Sequence, residues 1–356
     1  MQKPRNQIFL SVLRAALTDT LPDRSPASPE EWQTLFDDAQ RQGIIGIVWD
    51  AAKKLPMPAQ LRIEWNLVVQ YMEQRNDVLD LTCRKSVHNF ALDNIRTCIL
   101  KGQALGQLYP LPHHRQPGDV DIWVEGGEDV VVAYEKKYFR QPVEHSWYHS
   151  ALTLRNGVEL ELHYVPGHSN NRAFDALLQE FFVANAPWGE DGSDLFRPTS
   201  SPEAETRWVR FNSVYLVSHI ITHMRAEGIG FKQVLDLYWL MRRYDSPLAD
   251  VSPDIMKHIM PLYRALAWVF ELIGMPADRL WVKPSKHLGR LLLHEMLSTG
   301  VVSVDEIVNG KYSKSKFRKF VHRTLRSIRI SPILGAEPFH KLRDQLKYHL
   351  GKGLRG

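Results

Sequence analysis

The sequence has only two cysteines, Cys83 and Cys98, and their separation fits neither a zinc-ligand spacing nor a disulfide framework. It also lacks an apolar run approaching the roughly 20 residues that span a bilayer, because polar residues such as Ser218 interrupt its most hydrophobic stretch, 214–224. The first residues lack the apolar core and cleavage site of a signal peptide. These absences exclude a disulfide-stapled scaffold and predict a cytoplasmic chain without a transmembrane segment.

The rest of the chain lacks the excess of positive charge that the C-terminal tail has. The chain has 45 Lys and Arg against 40 Asp and Glu, a net charge of +5. Residues 311–356 contain 13 basic and 2 acidic residues, a charge of +11, which leaves −6 for residues 1–310. Any attraction to a polyanion is therefore predicted to involve the tail.

The first part of this tail, residues 311–330, has the pattern of an amphipathic helix. It has eight basic and no acidic residues, and apolar residues recur at helical spacing. These apolar residues are Phe317, Phe320, Val321, Leu325 and Ile328. We favour the interpretation in which this stripe docks on the acidic remainder of the protein, over one in which the helix binds RNA or phospholipid.

The chain divides into three regions by pattern. Residues 1–94 show apolar residues at a 3.6-residue period, with a helix start at Ser28 and a second long helix from Pro58 to Asn94. Residues 95–186 have the pattern of a small core with strands. After a Pro-, Gly- and Ser-rich boundary, residues 203–356 are predicted to be helical, ending in the basic tail.

Within residues 95–186, two segments are predicted to be strands. A β-like run, 97–100, ends in Lys101 and Gly102 at a strand-to-helix turn. The segment GDVDIWV, 118–124, alternates strictly, so that Val120, Ile122 and Val124 lie on one face. Asp119, Asp121 and Trp123 are then predicted to share the opposite face.

A β-hairpin is predicted over residues 151–164. Two alternating segments are joined by Asn156-Gly157, a strong hairpin signal. On the second strand, Glu159, Glu161 and His163 share one face. The predicted fold class is therefore α+β, a small mixed-sheet core flanked by N-terminal and C-terminal helical regions.

Asp119 and Asp121 are the residues that first indicate chemistry. Side chains at i and i+2 on a strand point the same way about 7 Å apart, so two carboxylates there repel unless a cation lies between them. Mg²⁺ is expected because it prefers oxygen ligands and keeps positions for substrate phosphates. Glu161 would complete a two-metal site for displacement at phosphorus. A bare pair of this kind is more often a solvated strand face, so the interpretation depends on the surrounding residues.

Two basic features before the aspartates favour a phosphate site. The Lys101-Gly102 turn offers backbone N–H groups and a positive charge to a phosphate. Arg115 lies four residues before Asp119, in a loop that ends at Gly118. A basic turn, an arginine, an aspartate pair and a hairpin carboxylate therefore follow one another in the order that a triphosphate site requires.

The ordered motifs resemble a known family. LKG-(x)6-YP-(x)4-R-(x)2-GDVDIWV, then ELHYVP, then HxxxHMxxEGIGFKQVLDLYWLM resembles the uncharacterised bacterial nucleotidyltransferase family of the DNA-polymerase-beta-like superfamily. The resemblance covers residues 30–245, about 60% of the chain. It implies a nucleotidyltransferase core with flanking helices.

The resemblance also implies roles for individual residues. Lys101 and Gly102 stand in for a Gly-Ser phosphate turn, Arg115 for the basic residue before the strand, and His149 matches a family histidine. Asp119 and Asp121 stand for the metal pair and Glu161 for the third carboxylate, with His163 beside it. The chain departs from the family at Gln103, where a serine is usual, and at Glu161, where aspartate is more common. The predicted nucleotide contacts are Lys101, Gly102, Gln103, Arg115, Gly118, Lys232, Gln233 and Asp236.

The reaction that the resemblance implies is attack of an acceptor on the α-phosphate of an NTP, with pyrophosphate released and Mg²⁺, or Mn²⁺, bound to the phosphates. The acceptor is expected to be a small molecule, a sugar or peptide intermediate, or a protein side chain. One alternative is transfer to RNA that residues 311–330 recruit. Another is a nucleotide-binding interaction module that does not turn the nucleotide over.

The segment after Gly228 and Gly230 has two interpretations. Lys232, Gln233 and Asp236 open a predicted helix, and the resemblance includes them, which favours contact with nucleotide or acceptor. Alternatively, Lys232 and Asp236 form an exposed i,i+4 ion pair worth a few tenths of a kcal/mol.

Overall fold

The computed structural model describes residues 4–188, 196, 201–226, 228–301 and 316–339. Helices precede and follow one five-stranded mixed sheet, which confirms the α+β class. The helices are α1 (Pro4–Thr18), α2 (Pro29–Arg41), α3 (Ile45–Ala52), α4 (Ala59–Leu92), α5 (Gly102–Gly106), α6 (Gly127–Tyr138), α7 (Arg172–Ala184), α8 (Pro202–Ala226), α9 (Phe231–Arg243), α10 (Pro253–Leu272), α11 (Lys286–Thr299) and α12 (Lys316–Leu334). The strands are β1 (Thr97–Leu100), β2 (Val120–Val124), β3 (Glu144–His145), β4 (His149–Thr153) and β5 (Glu159–His163).

Several of these elements confirm predictions from local sequence. Ser28 caps α2 by accepting a hydrogen bond from the Glu31 N–H, as expected of a Ser-Pro helix start. Helix α4 covers the predicted long helix almost end to end. The glycines before Phe231 do separate α8 from α9.

Strand β2 lies between β1 and β5 in the sheet, whose order is β1-β2-β5-β4-β3. It pairs antiparallel with β1 and parallel with β5. The parallel register places Asp121 beside Glu161 and Trp123 beside His163. Since neighbours in register point to the same face of a sheet, the second aspartate and the hairpin carboxylate come together.

The hairpin turn is one residue longer than Asn156-Gly157 alone would make it. Gly157 donates to the Leu154 carbonyl at 2.9 Å, and Leu154 donates to the Val158 carbonyl at 2.8 Å, so the loop is residues 155–157. Gly157 has φ +73°, a left-handed conformation that closes such three-residue turns. The resulting register places His149 opposite His163.

The two faces of the sheet have different partners. Val120, Ile122 and Val124 of β2 join Leu160 and Leu162 of β5 in an apolar cluster that includes residues of α4 and α6. The opposite face meets α8, where the Trp123 ring stacks on the Phe211 ring with centroids 5.8 Å apart. The predicted split of faces is confirmed, and β2 is buried on both of them.

The N-terminal and C-terminal helical regions contact each other directly. The Phe9 ring of α1 packs against the Phe231 ring of α9 with centroids 5.7 Å apart. Arg14 Nε donates to the Leu272 carbonyl at the end of α10 at 3.1 Å. The helical regions therefore share one apolar core, while the division at residues 94, 186 and 203 stays a prediction.

Helix α12 docks on the protein, but through a different face from the predicted stripe. Arg326 and Arg329 bind the fully buried Glu295 of α11, and Ile330 and Ile333 enter the core. Val321, Leu325 and Ile328 are 36%, 62% and 54% exposed. The prediction for those three is wrong, because a buried carboxylate requires cationic partners and so turns the arginine side of the helix inward. Residues 311–315 and the side chains of Phe317 and Phe320 lie outside the described residues.

Among the described residues, no helix has both the length and the apolar character that a membrane span requires.

The loop that leads into β2 is held by a buried histidine. His114 contacts Asp50 Oδ2 at 2.9 Å through Nδ1 and Glu73 Oε1 at 3.0 Å through Nε2. Burial opposes the charged imidazole, but the hydrogen bonds to Asp50 and Glu73 outweigh it and raise the pKa of His114 above 6.5. The charged form therefore ties the loop to α3 and α4.

Replacing His114 with glutamine is expected to change how stability depends on pH. Because the folded pKa lies above the unfolded value, the contribution of His114 is complete below pH 6.5 and is lost as pH rises through the folded pKa. Free energies of unfolding from urea titrations at about pH 6 and about pH 9 should therefore differ less in His114→Gln than in wild type. His88→Gln, which removes an exposed imidazole of α4, should behave as wild type; equal changes in both variants would contradict the assignment.

Candidate active site

The carboxylates of Asp119, Asp121 and Glu161 converge on the α8 side of the sheet. One oxygen from each lies within 4.8 Å of the others. Asp121 is 1% exposed, whereas the side chains of Asp119 and Glu161 are 36% and 24% exposed, so the group opens to solvent at one side. Such a group can hold a metal ion. The solvated-face interpretation of the aspartate pair does not describe Asp121.

Lys101 supplies a positive charge beside two of these carboxylates. Its Nζ lies 3.0 Å from Asp121 Oδ1 and 3.9 Å from Asp119 Oδ2. Burial opposes the ammonium form, but the two aspartates outweigh it and raise the pKa of Lys101 well above 10.5. Lys101 is therefore charged at all physiological pH values.

The Lys101-Gly102 turn has an unusual backbone. Lys101 has φ +41° and ψ −136°, and Gly102 also has φ +41°. A left-handed conformation at a residue other than glycine costs about 1–3 kcal/mol and is found most often where a side chain has a function. The turn directs the lysine side chain back to the aspartates instead of continuing β1.

His163 links two of the three carboxylates. Its Nε2 lies 3.0 Å from Asp121 Oδ1 and 3.2 Å from Glu161 Oε2. Burial disfavours the charged ring, but the hydrogen bonds to Asp121 and Glu161 outweigh it and raise the pKa of His163 to about 8. His149 Nδ1 approaches the same Glu161 oxygen at 3.7 Å. Burial lowers the pKa of His149, so its ring is neutral at physiological pH.

The site contains buried polar atoms that lack partners. Within the described part of the chain, Asp121 Oδ2, His149 Nδ1 and His163 Nδ1 are buried without a hydrogen bond. Unsatisfied buried acceptors cost about 1–3 kcal/mol each and are rare in folded proteins, so those of a carboxylate group indicate a missing ligand. The donor set therefore fits a divalent cation held by Asp119, Asp121 and Glu161.

Helix α8 closes the cleft over the acidic face. Tyr215 is buried there, and burial together with the charges of Asp121 and Asp119 raises its pKa well above 10, so it stays a neutral phenol. Burial and the Lys101 charge lower the pKa of His219 well below 6.5. His219 and His223 contact each other through their Nε2 atoms at 3.0 Å. The Tyr215 phenol and the His219 imidazole are therefore uncharged at physiological pH.

Arg115 and Asp236 are bound to each other. Arg115 donates from Nε to Asp236 Oδ1 and from its second amine to Asp236 Oδ2, both at 2.8 Å, and Tyr109 donates to Oδ1 at 2.7 Å. Both charged residues are buried. The sequence predicts both at the nucleotide, whereas the structure uses them to fix the β2 loop on α9. The alternative of a Lys232–Asp236 surface pair is wrong for the same reason.

Gln103 and Gln233 also have structural partners. Gln103 donates to Asp80 Oδ1 at 2.8 Å and to Asn76 Oδ1 at 3.3 Å, which turns its amide toward α4 and away from the carboxylates. Gln233 accepts from the Gly230 N–H at 3.0 Å and so caps α9. Both amides therefore connect elements of the fold, and their contact with nucleotide stays a prediction.

Lys232 lies at the edge of the site. Its Nζ donates to the Pro117 carbonyl at 3.4 Å, and a Cβ added at Gly118 would lie 3.1 Å from that Nζ. Burial first, then the Arg115 charge, lowers the pKa of Lys232 to about 8. Lys232 of α9 therefore lies next to Gly118, just before β2, as a shared role of the two residues in binding nucleotide would require.

Comparison with known families identifies this arrangement. Residues 28–257 match a family described as uncharacterised nucleotidyltransferase. The chain belongs to this family. No curated protein and no solved structure shows significant similarity to the chain. The match includes all three site carboxylates and the helices from α2 to α9, whereas α1, α11 and α12 lie outside it.

Sequence reasoning missed several features of this candidate site. It did not place Lys101 against the aspartates, and it did not find the contact of His149 with Glu161. Tyr215 of α8 carries no motif that would distinguish it from an ordinary core tyrosine. The register that places His149 opposite His163 requires a three-residue turn, which differs from the two-residue turn that Asn156-Gly157 suggests.

Proposed function

We propose that this protein transfers a nucleoside monophosphate from an NTP to an acceptor and releases pyrophosphate, with Mg²⁺ as its cation. The single observation that carries the proposal is the convergence of Asp119, Asp121 and Glu161 beside Lys101, within a chain of the nucleotidyltransferase family. Three oxygen ligands on two parallel strands match the ligand preference of Mg²⁺.

The three carboxylates would hold the cation, which supplies charge neutralisation at the phosphates when bound. Lys101 binds a phosphate oxygen with its ammonium, since that group is charged and already lies in the cleft. Lys232 binds a second phosphate from the far side of the Gly118 loop, where the absence of a side chain on Gly118 leaves room. Positive groups fixed in advance stabilise charge that develops on the leaving pyrophosphate.

The acceptor approaches on the Glu161 side. Burial opposes the ionised form of Glu161, but the hydrogen bond to His163 together with the His163 and Lys101 charges outweighs it and lowers the pKa of Glu161, so this carboxylate is ionised at neutral pH. It can accept a hydrogen bond, and then the proton, from an acceptor hydroxyl. His163 orients Glu161 and Asp121 by contacting both.

We propose that the acceptor is a small molecule, a sugar or peptide intermediate, or a protein side chain. RNA recruited by the basic tail receives less support, because Arg326 and Arg329 of α12 are bound to Glu295. Two of the eight basic residues of 311–330 are thus engaged within the protein, where they share the single negative charge of Glu295.

The proposal is tested with nucleotides labelled at different phosphates. Purified protein, Mg²⁺ and a host lysate are incubated with each NTP labelled at the α- or the γ-phosphate. We expect α-label in one acceptor fraction and γ-label only in pyrophosphate. Transfer of γ-label would show phosphoryl transfer instead, and nucleotide binding without any transfer would support the non-catalytic module.

A further inference from the structure

His149, Glu161 and His163 form a second group of metal-ligand type in the same cleft. One donor atom from each lies within 4.8 Å of the others. The cross-strand register of β4 and β5 places His149 opposite His163. Glu161 precedes His163 by two residues and so shares its face. The group is therefore held by two neighbouring strands, and not by flexible loops.

The spacing of these atoms suits a single ion. His149 Nδ1 and His163 Nε2 lie 3.7 Å and 3.2 Å from the same oxygen, Glu161 Oε2. Two ligands that are each about 2.1 Å from one ion lie roughly 3 to 3.4 Å apart. Small side-chain adjustments would bring all three atoms to coordination distance.

Two features of the polar atoms indicate that a ligand belongs here. Within the described residues, His149 Nδ1 is buried without a hydrogen-bond partner, although it faces Glu161. His163, which is 5% exposed, directs Nε2 at two carboxylate oxygens, contacts that require a proton on that nitrogen. A cation would take the place of that proton and would give the free lone pair of His149 a partner.

The chemistry of the ligands separates this group from the aspartate pair. Carboxylates alone suit Mg²⁺, whereas two imidazoles and one carboxylate suit transition-metal dications such as Mn²⁺ or Zn²⁺. The Lys101 ammonium lies beside Asp119 and Asp121, whereas Glu161 Oε2 faces the imidazole nitrogens of His149 and His163. The metal position with imidazole ligands therefore lies at the β4–β5 side of the cleft.

We propose that His149, Glu161 and His163 bind a transition-metal dication, at a position adjacent to the Mg²⁺ site and sharing Glu161 with it. The proposal concerns the same cleft as the proposed reaction but rests on the imidazole ligands, so each can fail without the other. Glu161 would bridge the two positions, as carboxylates do in two-metal sites.

The test uses the full-length protein stripped of metal with a chelator and loaded with Mn²⁺. Electron spin-echo spectroscopy of bound Mn²⁺ detects coupling to imidazole nitrogen, and equilibrium dialysis gives the affinity. We expect nitrogen coupling in wild type, and a loss of Mn²⁺ affinity of at least about tenfold in His149→Gln. His145→Gln is the matched control. His145 of β3 pairs with Ser150 of β4, and Ser150 follows His149 directly, so His145 points to the other face of the sheet.

The result that overturns the proposal is bound Mn²⁺ without nitrogen coupling in wild type, no Mn²⁺ binding, or equal affinities in His149→Gln and His145→Gln. The wild-type spectrum decides the matter even if a variant folds poorly. Transfer of α-labelled nucleotide with Mg²⁺, assayed on the same preparation, reports separately on the proposed reaction.

Discussion

Replacing Asp121 with asparagine is expected to lower kcat for nucleotidyl transfer by roughly 10²- to 10⁴-fold. Asp121 contacts Lys101 and His163 and is one of the three carboxylates that can hold the metal ion. The amide keeps the size of the side chain but removes its charge, so it neither binds the cation well nor holds the ammonium. The measurement is the initial rate of transfer of α-labelled nucleotide at saturating NTP.

Two further variants separate loss of chemistry from loss of folding. Asp119→Asn is expected to show a comparable loss of kcat. Because the Asp119 side chain is more exposed than that of Asp121, this substitution should disturb folding less. Glu159→Gln removes an exposed carboxylate from the same face of β5 and should leave the rate within about twofold. Similar losses in Glu159→Gln, or wild-type rates in Asp119→Asn, would show that the carboxylate group is not the catalytic centre.

Replacing Asp236 with alanine is expected to lower the free energy of unfolding by about 3–5 kcal/mol. The substitution leaves the Arg115 guanidinium buried without the carboxylate that binds it at two positions. Urea unfolding followed by circular dichroism measures the loss. Asp250→Ala breaks the partly exposed Arg210–Asp250 pair and should cost at most about 1 kcal/mol.

Removing both charges of the buried pair is expected to restore part of the stability. In Arg115→Met/Asp236→Leu, neither side chain leaves an uncompensated charge, so the double variant should be more stable than Asp236→Ala. If the loss of unfolding free energy in the double variant equals the sum of the losses in Arg115→Met and Asp236→Leu, the pair does not act as a coupled unit. In that case the β2 loop is held by its other contacts, such as those of His114.

Features that depend on neighbours in sequence were predictable. The alternation in 118–124 identified the face of Asp119 and Asp121, because side chains of a strand point alternately to its two sides. The cap at Ser28 and the length of α4 followed from capping and periodicity. The match over residues 28–257 confirmed the resemblance to a nucleotidyltransferase family, which ordered motifs carry, while the superfamily stays a prediction.

Features that depend on pairing between distant segments were not predictable. The parallel pairing of β2 with β5 is what places Glu161 next to Asp121, and no local pattern specifies it. The hairpin turn has three residues instead of the two that Asn156-Gly157 suggests, and a shift of one residue reverses which side chains face the cleft. His149 would not oppose His163 in the shorter turn.

Charged residues show a different limit of sequence reasoning. A buried ion pair and a phosphate-binding site both require an arginine in a loop, so the sequence alone could not separate these roles for Arg115. Asp236, its partner, lies 121 residues further along the chain. In α12 likewise, the buried Glu295 selects which face docks, and periodicity of apolar residues does not report that partner.

The most direct measurement of the central claim compares nucleotide incorporated with pyrophosphate released in one reaction. For wild type we predict equal molar amounts of the two products with Mg²⁺, and neither product from the Asp119→Asn/Asp121→Asn double variant. Release of inorganic phosphate and NDP in place of pyrophosphate, or unchanged incorporation by the double variant, would contradict nucleotidyl transfer at the carboxylates of β2 and β5.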